Sequence, residues 1–281
     1  MIRYIYILIF NLIFCLGMES TYLPNNAFQL ATSNSGIANS KNIEINSASI
    51  NNIKNSFSFS SITWYQGIKG GDISYKWGVK NHHHLNLYTL SANDIGLWYN
   101  IPNDDPVDLF DSHHMSASYT FGKKIANKIN IGLSNSIIYN QLYIDESYGY
   151  NLDFGISYLY NKNLSIGFSI NNLGFEKTKN SQIKYPILAG IGASININSL
   201  KTRLNTDLIY DERLSDNMVV KVSSITKLPY LSLIAGYNYS NQKKEISCGI
   251  SFKYRKVEFN YGVSFHSALG NPTILSLKYH I

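Results

Sequence analysis

The sequence predicts an all-β protein: a transmembrane antiparallel β-barrel of about fourteen strands, with an N-terminal segment folded into its lumen. Three observations carry this. Large apolar and small polar residues alternate in run after run, the period of a strand with two different faces. The runs are about ten to thirteen residues long, enough to cross a bilayer at a tilt, where strands of soluble proteins cluster near five or six. Aromatics make up 14% of the chain, with 22 Tyr and 13 Phe against 3 Trp, and charged residues only 15%. A soluble domain carries roughly 25% charge; low charge with abundant Ser, Asn and Gly suits one face in lipid and one in a polar lumen.

Residues 1–20 read as a signal peptide. Arg3 supplies the positive start, Ile5 to Leu16 the apolar stretch, and Gly17 and Ser20 the small residues around a cleavage point between 17 and 21. Cys15 falls inside this segment, so the mature chain keeps Cys248 alone and no internal disulfide is expected.

Residues 21–55 are rich in Asn and Ser, poor in aromatics and without a clean period. Such a stretch either docks inside a polar lumen or remains a disordered periplasmic tether. The inward faces offered by Ser165, Gly167, Ser169, Asn171 and by Asn151, Asp153, Gly155, Ser157 are short and polar, and favour a luminal plug.

Residues 56–281 form the barrel. The clearest stripe is Tyr148, Tyr150, Leu152, Phe154, Ile156, Tyr158 and Tyr160, with Gly149, Asn151, Asp153, Gly155 and Ser157 between. The same alternation predicts strands over 56–66, 68–79, 84–100, 113–122, 128–142, 148–160, 163–173, 185–198, 200–211, 217–226, 229–240, 244–255, 256–266 and 273–281. That is an even number, as single-chain outer-membrane barrels require. Every second connection is short and basic, as at Lys80, Lys128, Lys162, Lys201, Arg255 and Lys256; the alternate ones carry Asp105, Asp108, Asp111, Asp145, Glu212 and Asp216. Short turns are periplasmic and longer loops external, so the barrel begins and ends on the periplasmic side of a Gram-negative-type outer membrane. After the signal peptide no run of 18 apolar residues offers a spanning helix.

Few residues suggest chemistry. His82-His83-His84 reads as a polar periplasmic turn, because neighbours in an extended segment cannot converge on one metal ion. His113-His114, at the foot of an external loop, is likewise read as polar rather than metal-binding. The acidic stretch Asn103 to Asp111 has oxygen ligands but not the spacing of a Ca²⁺ loop; its Asp105, Asp108, Leu109 and Phe110 form a candidate external partner-binding loop. No spacing defines a Ser–His–acid set, so an enzyme is not expected, nor is a metal or cofactor. The net charge of +6 comes from scattered Lys and Arg, which excludes a nucleic-acid footprint.

Gly36-Ile-Ala, Ile45-Asn-Ser-Ala-Ser-Ile50 and Asn55-Ser-Phe-Ser-Phe-Ser60 give the chain a family likeness: it resembles the PorV/PorQ-like outer-membrane proteins, FadL-type barrels associated with type IX secretion. Asn46 and Ala48 match that family's Asn-Pro-Ala-Gly-Leu-like motif before the first strand, while Ser47 and Ser49 replace its Pro and Gly. Leu164 to Gly174, ending Asn-Leu-Gly, and the stretches Phe259 to Gly262 and Leu275 to Leu277 look like its mid-barrel strand and terminal hairpin. The resemblance implies a fourteen-stranded barrel with a luminal N-terminal segment. For function it implies a non-catalytic component that handles or anchors secreted proteins with other secretion-machinery components, besides contacting lipid. The alternative is a FadL-like channel for small hydrophobic compounds.

Overall fold

A computed structural model describes residues 20–39, 43–52, 54–98, 105–241, 244–266 and 270–281; of the expected signal peptide, residues 1–20, all but Ser20 lie outside them, Cys15 included. The strands are β1 (Ser56–Thr63), β2 (Lys69–Gly78), β3 (Asn81–Leu97), β4 (Asp108–Ala126), β5 (Ile129–Leu142), β6 (Asp145–Leu159), β7 (Leu164–Thr178), β8 (Gln182–Lys184), β9 (Leu188–Ile197), β10 (Thr202–Asp211), β11 (Met218–Lys227), β12 (Leu231–Tyr239), β13 (Lys244–Tyr254), β14 (Val257–Phe265) and β15 (Thr273–His280). Each pairs antiparallel with its neighbour, and β1 pairs β15 with Phe57 opposite Tyr279 and Ile62 opposite Ile274. The sheet therefore closes on itself. Fourteen strands make the wall; β8 is a short spur paired to the top of β7 while β7 also pairs β9. Closure leaves no unpaired edge, which a span through lipid demands.

The two faces follow from alternation. Outward stripes stay bare, with Leu87 58% and Ile137 65% exposed. These side chains meet hydrocarbon, and Tyr rings gather at both rims: Tyr139, Tyr148, Tyr237 and Tyr239 at one, Tyr158, Tyr160, Tyr254 and Tyr279 at the other. Cys248 shares the outward stripe of Ile246 and Ile250. The inner face is small and polar: Ser60, Ser74, Thr120, Ser134, Ser169, Ser223, Ser247 and Ser264 are all buried.

Three boundaries differ from the sequence reading. His82, His83 and His84 are not a turn; they open β3, opposite Gly78, Trp77 and Lys76. His83 points outward and stacks on Trp77 with centroids 5.3 Å apart, its Nδ1 2.7 Å from the Tyr119 hydroxyl, so it serves as one more girdle aromatic. A two-residue turn suffices there because Gly78 takes φ 136, a conformation closed to side chains with a Cβ. At the opposite rim, Asp108, Leu109 and Phe110 are not loop residues. They begin β4, with Phe110 opposite Ile95 and Leu109 opposite Gly96 across a bulge in β3. β6 likewise begins early, at Asp145 opposite Leu142, and β7 runs on to Thr178. Above the membrane both faces of a ladder are wet, so backbone pairing persists while the period-two pattern that betrays it is lost.

The N-terminal segment occupies the lumen. It runs from a 3₁₀ turn (Ser20–Tyr22) through α1 (Ala27–Ala31) to a second 3₁₀ turn (Ser47–Asn52), and Asn55 then meets Ile281 at the periplasmic rim. Asn26 caps α1, its side chain accepting from the Gln29 N–H at 3.0 Å. Ala27, Leu30, Ala31, Ile37 and Ile50 are at most 1% exposed, in apolar patches that include Ile62, Tyr88 and Ile274 on one side and Ile209 and Val219 on another. Burial of each Leu or Ile among them contributes about 1.5–3 kcal/mol. A segment that looks too polar to fold is anchored by these few apolar residues.

Candidate functional site

The site is the lumen. Tyr22 sits at its external mouth, where the hydroxyl donates to the Pro186 carbonyl at 2.5 Å and the Arg213 guanidinium lies 3.7 Å above the ring. Arg213 is itself paired with Asp211 at 2.6 Å. Below, α1 ends in Ser33 and Asn34 at φ 53 and 55, and Gly36 turns the chain at φ 111. Charged wall residues clamp this turn. The Gly36 N–H donates to Asp207 at 2.5 Å, Lys221 Nζ to the Asn34 carbonyl at 3.2 Å, and Arg203 Nη1 to Asn39 Oδ1 at 3.0 Å. Orphan backbone groups of a buried turn need such partners.

Asn46 and Ala48 are fully buried where the plug meets β6 and β7. The Asn46 amide donates to three carbonyls, Ile37 at 2.8 Å, Ile156 at 3.1 Å and Phe168 at 3.3 Å, and its oxygen accepts from the Ala48 N–H at 2.9 Å. One side chain thereby ties the plug to itself and to two strands. The wall makes room with glycine. A methyl at Gly132 would strike the Ser47–Ala48 peptide, at Gly155 the Asn46 side chain, at Gly167 the Ile37 carbonyl and at Gly236 the Thr32–Ser33 peptide. The alternation marked these glycines as inward-facing; nothing in it told that each answers a particular plug atom.

Above the plug, toward the external mouth, lies a cavity of about 450 Å³. Its floor includes Leu30, Ile37 and Ile45, with Trp64, Tyr88 and Ile138 among its apolar walls; polar groups such as Ser116, Asn171 and Asn238 stand between them. Pockets of roughly 300–1,000 Å³ with an apolar lining and a few oriented polar groups are the usual housing for small molecules. Tyr65, next to Trp64 in the loop after β1, has its phenol pushed up to about 12 by burial, with Glu245 adding to the rise, so it stays neutral. His114 is inward and buried, its Nδ1 2.5 Å from Asn140 Oδ1, an oriented imidazole that touches the cavity. Sequence reasoning gives it no role: the strand expected over 113–122 already holds the pair, and its alternation puts His114 inward, on the face opposite Met115, but the Asn140 partner on β5 that orients the ring is not legible there.

Among the candidate external residues, Leu109 is 53% exposed and Asp108 and Asp105 are exposed, all beyond the wall of the cavity. The Phe110 ring packs edge-on to Tyr143 at 5.5 Å. They belong to a hairpin extension and share no site with Asn46 and Ala48. No group of three or more candidate metal-ligating side chains converges among the described residues.

Residues 67–182 match a family model described as "Putative MetA-pathway of phenol degradation". Among curated protein sequences none matches the chain. Three solved structures are similar over nearly the whole chain. The Ralstonia pickettii toluene transporter TbuX is 10% identical with a TM-score of 0.64, covering 91% of this chain and 98% of its own. For the Pseudomonas putida toluene transporter TodX the values are 13%, 0.66, 90% and 96%. For a Pseudomonas aeruginosa FadL homologue they are 8%, 0.57, 92% and 99%. At such identities the likeness is one of fold alone: this chain is an outer-membrane β-barrel that shares the closed antiparallel architecture of these structures.

Proposed function

We propose that the protein is an outer-membrane channel that takes up small, largely hydrophobic compounds. The observation that carries this is the 450 Å³ cavity held on the external side of a seated plug. It lies on the side of Tyr22 and Arg213, its floor sets Leu30, Ile37 and Ile45 among polar groups, and its volume suits a small ring compound with room to spare. Two of the similar structures are toluene transporters, and the matching family is described by phenol degradation; both support a small aromatic as the first compound to try. Polar groups between the apolar walls favour a ring that carries a hydroxyl over a bare hydrocarbon.

The test uses purified protein in detergent and intact cells expressing it. Trp64 lines the cavity, so toluene and phenol should quench tryptophan emission saturably, and Trp64→Phe should abolish most of that change. Ser116→Trp, which puts an indole into the cavity, should lower uptake about tenfold while the barrel stays folded, an effect of roughly 1.4 kcal/mol. Uptake equal to that of cells without the protein would dispose of the reading.

A second reading is the secretion or surface-attachment role that the PorV/PorQ resemblance implies, with secreted proteins or other machinery components as partners. Its support is the external hairpin extension, where Trp98, Val107 and Leu109 are about half exposed with Asp105 and Asp108 beside them. Apolar side chains left bare above the membrane are a docking surface in kind. The cavity is the more specific feature, and the channel reading leads.

A further inference from the structure

Up to Asn52 the plug carries one charged side chain among its described residues, Glu44, and that residue stands between two cavities. On one side is the external cavity. On the other is a smaller void of about 50 Å³, walled by the plug at Asn26 and Phe28 and by the inner faces of β1, β2, β3, β14 and β15. Ile43, Glu44 and His84 line both. The smaller void lies toward the periplasmic rim, since Ser56 at the foot of β1 borders it. Its wall gathers ionisable side chains of both signs. Asp72 and Lys76 from β2, Glu258 from β14 and Lys278 from β15 all line it, with hydroxyls of Ser58, Ser60 and Ser74 between.

We infer that this charged flank is a second passage through the plugged barrel, a route for small hydrated ions and solutes of their size, with Glu44 and His84 as its throat. Lys76 is 2% exposed and Asp72 3%. Charges are costly to bury, and around Asn46 the plug is seated without them, on Gly155 and the carbonyls of Ile156 and Phe168. Charges of both signs along a narrow void replace part of the hydration shell of a passing ion. Glu44 lies within electrostatic reach of both Asp72 and Lys278, so the plug's own charge meets those of the wall at the narrowest point. This passage is separate from the uptake reading: it needs no aromatic ligand and leaves the external cavity as it is.

The experiment is single-channel recording of the full-length protein in planar bilayers under a KCl gradient, with heat-modifiable gel mobility as the check on folding. Glu44→Ala shortens the throat and should raise conductance several-fold. Glu44→Gln keeps the volume but removes a negative charge, so conductance should stay near wild type while the reversal potential moves toward anions. Ile50→Ala trims the plug where it faces Gly122 of β4, at a residue that lines neither cavity, and should change neither quantity. Wild-type conductance in Glu44→Ala, no reversal shift in Glu44→Gln, or an equal rise in Ile50→Ala would each overturn the passage, the last by showing that any loosening of the plug suffices. Failure of toluene or phenol to bind, by contrast, would touch only the uptake reading.

Discussion

Against β5, β6 and β7 the plug lies directly on the backbone of the wall; against β1, β2 and β15 it is held off by side chains and a void. On the first flank Gly132, Gly155 and Gly167 admit plug atoms where a methyl would collide, and Asn46 bonds to the carbonyls of Ile156 and Phe168. On the second flank the links run through hydroxyls: the Ala27 N–H donates to Ser276 Oγ at 2.9 Å, and Ser276 in turn meets Ser60 at 2.8 Å. Close backbone approach excludes water and fixes a position to tenths of an ångström. Side-chain links across a polar void can be remade with water at little cost. One flank is built to stay shut, and the other holds whatever traffic the lumen allows.

The largest expected effect breaks the tight flank outright. Gly155→Val puts a branched side chain where Asn46 and the Ala48 N–H now stand, and the wall cannot yield because β6 is paired on both sides. The plug should leave its seat, with conductance in planar bilayers rising by an order of magnitude or more and protease cutting within residues 21–52. An unchanged trace would mean the plug is held elsewhere. Asn46→Ala comes next. It removes the amide hydrogens now given to the carbonyls of Ile37, Ile156 and Phe168, a loss of roughly 2–4 kcal/mol for buried groups. The thermal transition of the detergent-solubilised protein should fall by several degrees, and Asn46→Asp should restore less than half of the loss, because a carboxylate cannot donate.

How much of this was legible in the sequence depends on which side chains keep a period. The membrane strands were readable because lipid on one face and lumen on the other force alternation, as from Tyr148 to Tyr160. The β3–β4 hairpin above the membrane was not, and Leu109 and Phe110 passed for loop. His83 was hidden for another reason: imidazole counts as polar in a pattern, yet stacked on Trp77 it behaves as a ring. Residues 21–55 showed the right composition for a luminal plug, and the resemblance singled out Asn46 and Ala48. The clamp by Asp207, Lys221 and Arg203 could not be foreseen, since it joins positions more than 160 apart in sequence. The void beside Glu44 was equally out of reach, because an empty space is a property of everything around it.

The smallest expected effect sharpens the contrast most. Ser60→Ala, on the loose flank, removes one hydroxyl from the Ser60–Ser276 pair. Ser276 keeps the Ala27 N–H as its donor, so no backbone group of the plug is orphaned. The deleted oxygen is buried, but it borders the small void, and a water there can take up the hydrogen bond that Ser276 loses. The cost should therefore stay near the low end for a neutral hydrogen bond, about 0.5 kcal/mol, with a thermal transition within a degree or two of wild type and protease resistance of residues 21–52 unchanged. Measured beside Asn46→Ala in the same detergent, the two losses should differ severalfold. If Ser60→Ala costs as much as Asn46→Ala, the void is not wet and the two flanks hold the plug alike, which would remove the physical ground for traffic along β1, β2 and β15.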